Sequence, residues 1–568
     1  MVRVAALQFA TGTDIQENLQ TCLRMIDNAA QQNVQLMVLP EFCNHLSWYG
    51  NYDEAYEVAV EEDGEFLAAI ADKAREHQAH IVINCSMKRP DRKITVTSVM
   101  FDDSGQKIAV VDKQTLMGNE NNFFMRATEA SPVFETVPGK IGIYICRDGV
   151  TMETPRSLAL QGAEIFCHSL NSFAIDEASL HVPSRAIENR VFVISSNKVG
   201  SLIPVDVLDM VSEKLGVAKE HLYGAGESQI ISPTGDVLAQ ANRTDEAVVV
   251  ADIDIRLSHD KTWADGNDIF KYRRPELYRE IAHEPQKIKL PDATEKMRVA
   301  VYQPQINAGD YFNAVLDDVA KYIQQAIAEK VELLVLSDLF CFESTTISDV
   351  ESAIEQSQLA IQKIQSACAG SALIVCTGLI ESGNYHNGVF ISEDGVIFRQ
   401  AQLHYAEGFD WLTTGNSIET IDLPQGRFAM LVGHDSRYPE LARVMAIRGV
   451  DVIAIPFDLT EKTELTHGLV DRSAENRVCI VAASRPKAFG GSLIITQWKD
   501  FQIFTKWEAR QFDGTINQPI VTYAETGTSL TIGEIHPETS RRKVMSQQTD
   551  LVMGRPWYLA DVITREVE

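Results

Sequence analysis

An α/β fold built as two tandem copies is the class this chain predicts, and three observations predict it. Strand and helix signals alternate from the first residues, the opening strand pattern restarts at Met297, and the spacing between motifs recurs in the second half. Of the 568 residues, 45% are apolar and 23% charged, which suits a globular chain with large cores. A net charge of −28 excludes nucleic acid and anionic membrane as main partners, because both require basic patches. No apolar run approaches the ~18 residues of a membrane span, and Met1 to Gln8 reads as a strand, not as a signal peptide. Nine cysteines without a Cys-x-x-Cys pair read as reduced thiols, so a cytoplasmic protein with no metal cluster is expected.

Taken in order, Val2 to Gln8 is a strand, and Asn18 to Gln31 carries Leu19, Cys22, Leu23 and Ile26 at helical spacing. Val34 to Leu39 is a buried strand that ends in Pro40-Glu41-Phe42, where Glu41 is either a carboxylate placed by the backbone or a solvated loop acid. Glu65 to Arg75 reads as helix, His80 to Cys85 as strand, and Ser98 to Val111 as a hairpin around Asp103-Ser104-Gly105. The hairpin delivers Lys113, and Glu120 follows in a polar loop. Lys140 to Ile145 is an apolar strand ending on Cys146-Arg147-Asp148-Gly149, so the thiol sits where a buried strand hands over to a turn. Helix at 154–161, strand at 163–169, helix at 180–190 and strand at 191–197 continue the alternation. A hairpin around Ser232-Pro233-Thr234-Gly235 and a strand at 247–255 close the copy. Asp206 to Leu215 reads as an extra amphipathic helix, either functional or surface decoration.

Polar composition marks a linker at 281–296 between a first domain, 1–280, and a second, 297–568. Lys113 to Cys146 and Gln400 to Gly433 both span 33 residues, and Cys146 to Arg185 and Gly433 to Arg472 both span 39. Through this register Glu41 faces Asp338, Lys113 faces Gln400, Cys146 faces Gly433, and Glu120 faces Glu407. The second copy is therefore expected to be a degenerate pseudoenzyme with a structural or regulatory role. Glu153, Arg156, Glu188 and Asn189 recur as Glu440, Arg443, Glu475 and Asn476, and read as buried ion pairs and caps that hold the fold.

The first copy holds a chemistry the second lacks. A thiol needs a base or a nearby cation to attack. Glu41 can take its proton if burial raises the carboxyl pKa, and Lys113 can stabilise an oxyanion together with the Arg147 backbone N–H. The set is compatible with acyl transfer through a thioester, Glu41 later activating the water.

The ordered motifs Leu39-Pro40-Glu41-Phe42, Asp112-Lys113, Ile145-Cys146-Arg147-Asp148, Glu188-Asn189-Arg190-Val191 and Arg273-Arg274-Pro275 resemble the nitrilase, or carbon–nitrogen hydrolase, superfamily. That resemblance implies a four-layer αββα sandwich and cofactor-free hydrolysis of a non-peptide C–N bond. It implies Glu41, Lys113 and Cys146 as catalytic residues, with Glu120 as the additional active-site carboxylate. It also implies that the two copies form an intrachain pseudo-dimer, which could assemble into a homo-oligomer. The Asp148-Gly149 pair is similar to the cysteine turn of aliphatic amidases. The arginine pair of carbamoyl-amino-acid hydrolases is replaced by Gly149-Val150, and the Trp-Glu of true nitrilases by Arg147-Asp148. A small linear carboxamide is the expected substrate, an N-carbamoyl compound the alternative and a nitrile third; an N-acyltransferase using the same thioester is a further alternative.

Overall fold

The computed structural model describes residues 1–306 and 310–566. The chain divides into two compact units. The first is Met1–Lys261 with Asp500–Gln518 and Val544–Glu568, and the second is Thr262–Lys499 with Pro519–Lys543.

In chain order the strands of the first unit are β1 (Val2–Gln8), β2 (Leu36–Val38), β3 (His80–Arg89), β4 (Lys93–Phe101), β5 (Lys107–Asp112), β6 (Val133–Thr136), β7 (Gly139–Ile145), β8 (Ile165–Ser169), β9 (Phe192–Ser196), β10 (Gln229–Ile231), β11 (Val237–Gln240) and β12 (Ala247–Ile253). They form two six-stranded sheets, ordered β12-β1-β2-β3-β4-β5 and β11-β10-β9-β8-β7-β6. β1 to β3 pair in parallel, and so do β7 to β9, which is why these strands read as unbroken apolar runs: both faces are covered. Period-two alternation sends Val4 and Ala6 into the core between the sheets, with Val38, Val82, Ile143 and Ile194. It sends Ala5 and Leu7 to an outer core with Cys22, Ile26 and Ile70. That outer core lies under α1 (Ile15–Ala30) and α3 (Glu65–His77), and the short α2 (Tyr52–Val58) lies between them in sequence. On the other sheet, α4 (Glu153–Leu160) packs on β7 and α5 (Val182–Asn189) on β9. The layers are αββα, as expected.

Local boundaries follow caps more than periodicity. α1 begins three residues earlier than its apolar spacing indicates, because the Asp14 carboxylate accepts from the N–H groups of Gln16 and Glu17. The helix expected over 180–190 begins instead with a wide π turn at Glu177–His181. The extra helix is present as α6 (Val205–Leu215), ended by Gly216 at φ +68°.

The second unit repeats the plan with its own two six-stranded sheets: Met297–Tyr302 pairs with Leu333–Leu336 in parallel and with Leu530–Ile535 antiparallel, as β1 does with β2 and β12. The recurring polar residues hold matching places. Arg156 Nη1 donates to Glu188 O and to Asn189 Oδ1 at 3.0 and 3.3 Å, and Arg443 Nη1 donates to Glu475 O and Asn476 Oδ1 at 3.4 and 3.1 Å.

The compact units do not follow the boundaries 1–280 and 297–568 read from the sequence. Arg273 forms a buried ion pair with Glu440 at 3.0 Å, and Arg274 Nη1 donates to the carbonyls of Leu403 and Gly415 at 2.9 and 2.8 Å. The segment trailing the first copy thus belongs to the second unit. Conversely, the buried Asp176 carboxylate accepts the backbone N–H groups of Ile516, Asn517 and Gln518, and Gly118 N–H donates to Thr549 Oγ1 at 2.8 Å. Satisfied backbone groups, not proximity in sequence, assign these segments.

Candidate active site

Four residues from three loops at strand ends converge in the first unit. Glu41 follows β2, with its N–H donating to Leu170 O at 3.0 Å beyond the end of β8. Lys113 is the first residue after β5, Glu120 lies in the turn Gly118–Asn122, and Cys146 is the first residue after β7. The Asp148 carboxylate ties two of these loops together. It accepts from Thr115 N at 2.7 Å, Thr115 Oγ1 at 2.6 Å and Gln114 N at 3.2 Å, so the cysteine turn is fastened to the lysine loop. His168 supports the same turn through Nε2 and Cys146 O, 3.1 Å apart, and burial lowers its pKa to about 3, so the ring stays neutral.

Lys113 Nζ donates to Glu41 Oε1 at 2.7 Å and to the two Glu120 oxygens at 2.9 and 2.8 Å. Lysine and Glu41 are both fully buried. One cation thus serves two carboxylates beside a buried thiol. Burial raises the Glu41 carboxyl to about 7, with the Lys113 charge opposing and the Glu120 charge adding. Burial alone would lower the Lys113 pKa, but Glu120 and Glu41 outweigh it and hold the ammonium well above its ordinary range. The Cys146 thiol is pushed well up by burial and then by Glu41, so it does not ionise unaided. Glu41 Oε2 is buried with no hydrogen-bond partner, which leaves the carboxyl one oxygen uncommitted. Cys146 is held at φ +47°, a strained conformation for a residue with a Cβ.

Cys146 and Glu120 line a cavity of about 360 Å³, enough for a small organic molecule. Its walls are mostly apolar; Glu177 and the late segments in them were not foreseen from the sequence, which left helix α6 open between function and surface decoration. Glu177 lines the cavity with its Oε2 buried and unpartnered; burial raises its pKa to about 7, and its charge raises that of the Cys146 thiol. Helix α6 contributes Val211, Lys214 and Leu215. Ile503, Phe504, Ile516 and Met545 come from more than 350 residues after Cys146. The adjacent acids Asp176-Glu177 were the one available signal; their separate tasks, a backbone anchor and a cavity wall, are tertiary facts.

At the corresponding place in the second unit the register needs correcting. The last hairpin pair is Thr97↔Asp112 in one copy and Asn387↔Ala401 in the other, so the residue that follows is Lys113 in the first and Gln402 in the second, not Gln400. The flanking bonds agree: Lys113 N–H donates to Val96 O and Gln402 N–H to His386 O, both at 2.8 Å. The loop from this residue to the cysteine position is two residues shorter in the second copy, so equal counting landed two residues early. Gln400 itself donates to Ala401 O and Ser417 O, outside this cluster. Nor does Glu407 stand in for Glu120: it is half-exposed and paired with Lys271 at 3.0 Å. What occupies the place is Asp338 bonded to His386 Nε2 at 2.7 Å, Gln402, and Gly433 at φ +53°. A Cβ built on Gly433 would lie 3.0 Å from Gln402 Oε1 and 3.3 Å from Asp338 Oδ2.

A family model for carbon-nitrogen hydrolases matches residues 3–259 and again residues 298–523. A nitrilase of Pyrococcus abyssi is 32% identical over 280 residues, 49% of this chain and 99% of that protein. The N-carbamoylputrescine amidase of Solanum lycopersicum is 27% identical over 295 residues, 49% of this chain and 94% of its own length. Among solved structures, an amidase from Nesterenkonia sp. is 21% identical, with a TM-score of 0.39 over 46% of this chain and 92% of that one. Matched over most of its length, twice in tandem, the chain belongs to the carbon–nitrogen hydrolase family and is a C–N hydrolase.

Proposed function

We propose that the first unit hydrolyses carboxamides to carboxylic acid and ammonia through a thioester on Cys146, and that the second unit is a pseudoenzyme. The observation that carries the reading is the buried Lys113 bridging Glu41 and Glu120 beside a thiol that needs a base. Glu41 takes the Cys146 proton as sulfur adds to the amide carbonyl. The resulting oxyanion is met by the Lys113 ammonium and the Arg147 backbone N–H. Glu41 returns the proton to nitrogen, the C–N bond breaks, ammonia leaves and the acyl group stays on sulfur. Glu41 then deprotonates a water that attacks the thioester, and the acid departs as the thiol is reprotonated.

Two features favour an amide over a carbamoyl amino acid. A Cβ on Gly149 would lie 2.7 Å from the Tyr144 ring, so the place of a carboxylate-binding arginine holds no side chain, and Val150 presents an apolar surface to the cavity. N-carbamoyl hydrolysis stays as the second reading because a named N-carbamoylputrescine amidase is among the relatives. Ammonia release from a panel of carboxamides, N-carbamoyl compounds and nitriles separates them, since a carbamoyl group also yields carbon dioxide. Release without carbon dioxide, lost in Cys146→Ala, is expected; release with stoichiometric carbon dioxide would favour the second reading.

The base works only when ionised, so kcat/KM is expected to fall as pH drops through about 7, the value to which burial raises Glu41. The Glu41 charge is among those that raise Glu177, so the two carboxyls repel each other, and Glu177→Gln is expected to move the acidic limb of the pH profile to lower pH while turnover persists. A profile flat from pH 5 to 9 would contradict the assignment of the base.

The second site lacks the cation, the base of full reach and the nucleophile together. In a Cys146→Ala background Gly433→Cys is expected to restore no ammonia release, because Gln402 brings no charge where Lys113 stands and Asp338, engaged with His386, is one methylene shorter than Glu41. Any recovered turnover would show the second site to be competent.

A further inference from the structure

The main cavity does not end at its Cys146 side. A smaller pocket of about 30 Å³ shares Phe173, Leu215, Leu222, Ile503 and Phe504 with it and continues to Val217, Trp507 and Phe512, while neither Cys146 nor Glu120 touches this extension. The reacting groups therefore stand at one end and an apolar, ring-lined recess at the other. The recess is constructed rather than incidental. Phe173 packs edge-on against Phe504 and Phe512 at centroid distances of 6.0 and 6.1 Å, and Trp507 packs on Phe512 at 4.8 Å. The Asp176 carboxylate fixes the backbone of the same segment at Ile516, Asn517 and Gln518, and Ile175 N–H donates to Gly514 O at 2.9 Å. Val150, beside the cysteine turn, shares one apolar cluster with Ile503, Phe512, Ile516 and Met545.

Resting on the amide-hydrolase reading, we propose that the substrates are carboxamides with an extended, uncharged apolar acyl group, and that residues 500–518 with helix α6 are the specificity-determining wall. Residues 500–518, late in the sequence but part of the first compact unit, would then decide what its site accepts. Each added methylene that enters an apolar pocket is worth up to ~10-fold or more in kcat/KM. The preference over acetamide should accordingly grow with chain length until the recess is filled. The recess itself is apolar apart from Thr505, so a charged chain end that enters it would leave water without meeting an opposite charge and is disfavoured.

The test is kcat/KM of the full-length protein for acetamide, hexanamide, 4-phenylbutanamide and 5-aminopentanamide. Hexanamide or 4-phenylbutanamide is expected to exceed acetamide by at least ~10-fold, with the amino-terminated amide below its uncharged counterparts. Ile503→Thr is expected to reduce the hexanamide-to-acetamide ratio several-fold. Because Ile503 is also core, Val211→Asn on the partly exposed face of α6 provides the second variant, with the same direction. Acetamide equal to or better than hexanamide, a preferred charged amide, or a ratio unmoved by both variants overturns the inference and leaves amide hydrolysis standing. No ammonia from any of the four amides, with release from an N-carbamoyl compound, overturns both.

Discussion

Lys113→Met is expected to abolish turnover and to destabilise the first unit by about 3–5 kcal/mol, the usual effect of removing one partner of a buried ion pair. The lysine is the only cation bonded to Glu41 and Glu120 among the described contacts, and without it the fully buried Glu41 faces the partly buried Glu120 with no opposite charge between them. At least one must then bind a proton to remain inside. The sign with pH follows: the variant can accept that proton at pH 5 and must do so against the solvent at pH 8, so its deficit in urea unfolding is expected to be larger at pH 8. A Lys113→Met protein as stable as the parent at both pH values would mean that the triad is not the buried electrostatic unit described above. The parent has the same tendency more weakly. Since burial lifts Glu41 from 4.5 to about 7, the folded state holds its proton more tightly, and this group lowers stability as pH rises between those values.

Replacing the nucleophile should separate activity from stability. Cys146→Ala and Cys146→Gly are both expected to lose on the order of 10⁴-fold or more in kcat, as loss of a nucleophile commonly does. They should differ in stability. At φ +47° a Cβ is strained, and glycine relieves about 1 kcal/mol of that strain, so Cys146→Gly is expected to unfold at higher denaturant than Cys146→Ala. The second copy gives the precedent: with no nucleophile to hold, the same turn carries Gly433 at φ +53°. A glycine variant less stable than the alanine variant would indicate that the turn is held by something other than the reaction it serves.

How much of this was legible in the sequence depended on the range of the interaction. Parallel strands covered on both faces read as unbroken apolar runs, so β1, β2, β7 and the restart at Met297 stood out, and Glu41 after β2 and Cys146 after β7 were found with them, while Lys113 was found at the end of the β4–β5 hairpin. The hydrogen bonds recurring between copies, Arg156 with Asn189 and Arg443 with Asn476, were visible because both partners repeat at the same spacing of 33 residues. The misplacement of Gln400 for Gln402 came from a loop two residues shorter in the second copy, which residue counting cannot see and backbone pairing can. Glu177 was hidden because an acid just before a helix reads as ordinary capping chemistry. The contribution of Ile503, Phe504, Ile516 and Met545 was beyond reach. Nothing local in a stretch like Phe501-Gln502-Ile503-Phe504 says that it walls a cavity whose thiol lies more than 350 residues earlier.

The central claim is that an acyl group passes through Cys146, and rapid-quench mass spectrometry of the full-length protein during turnover of hexanamide tests it most directly. The account predicts an adduct of acyl mass on the Cys146 peptide, formed with one equivalent of ammonia, cleaved by hydroxylamine and absent from Cys146→Ala. Steady turnover with Cys146 unmodified, or turnover that persists in Cys146→Ala, would contradict it.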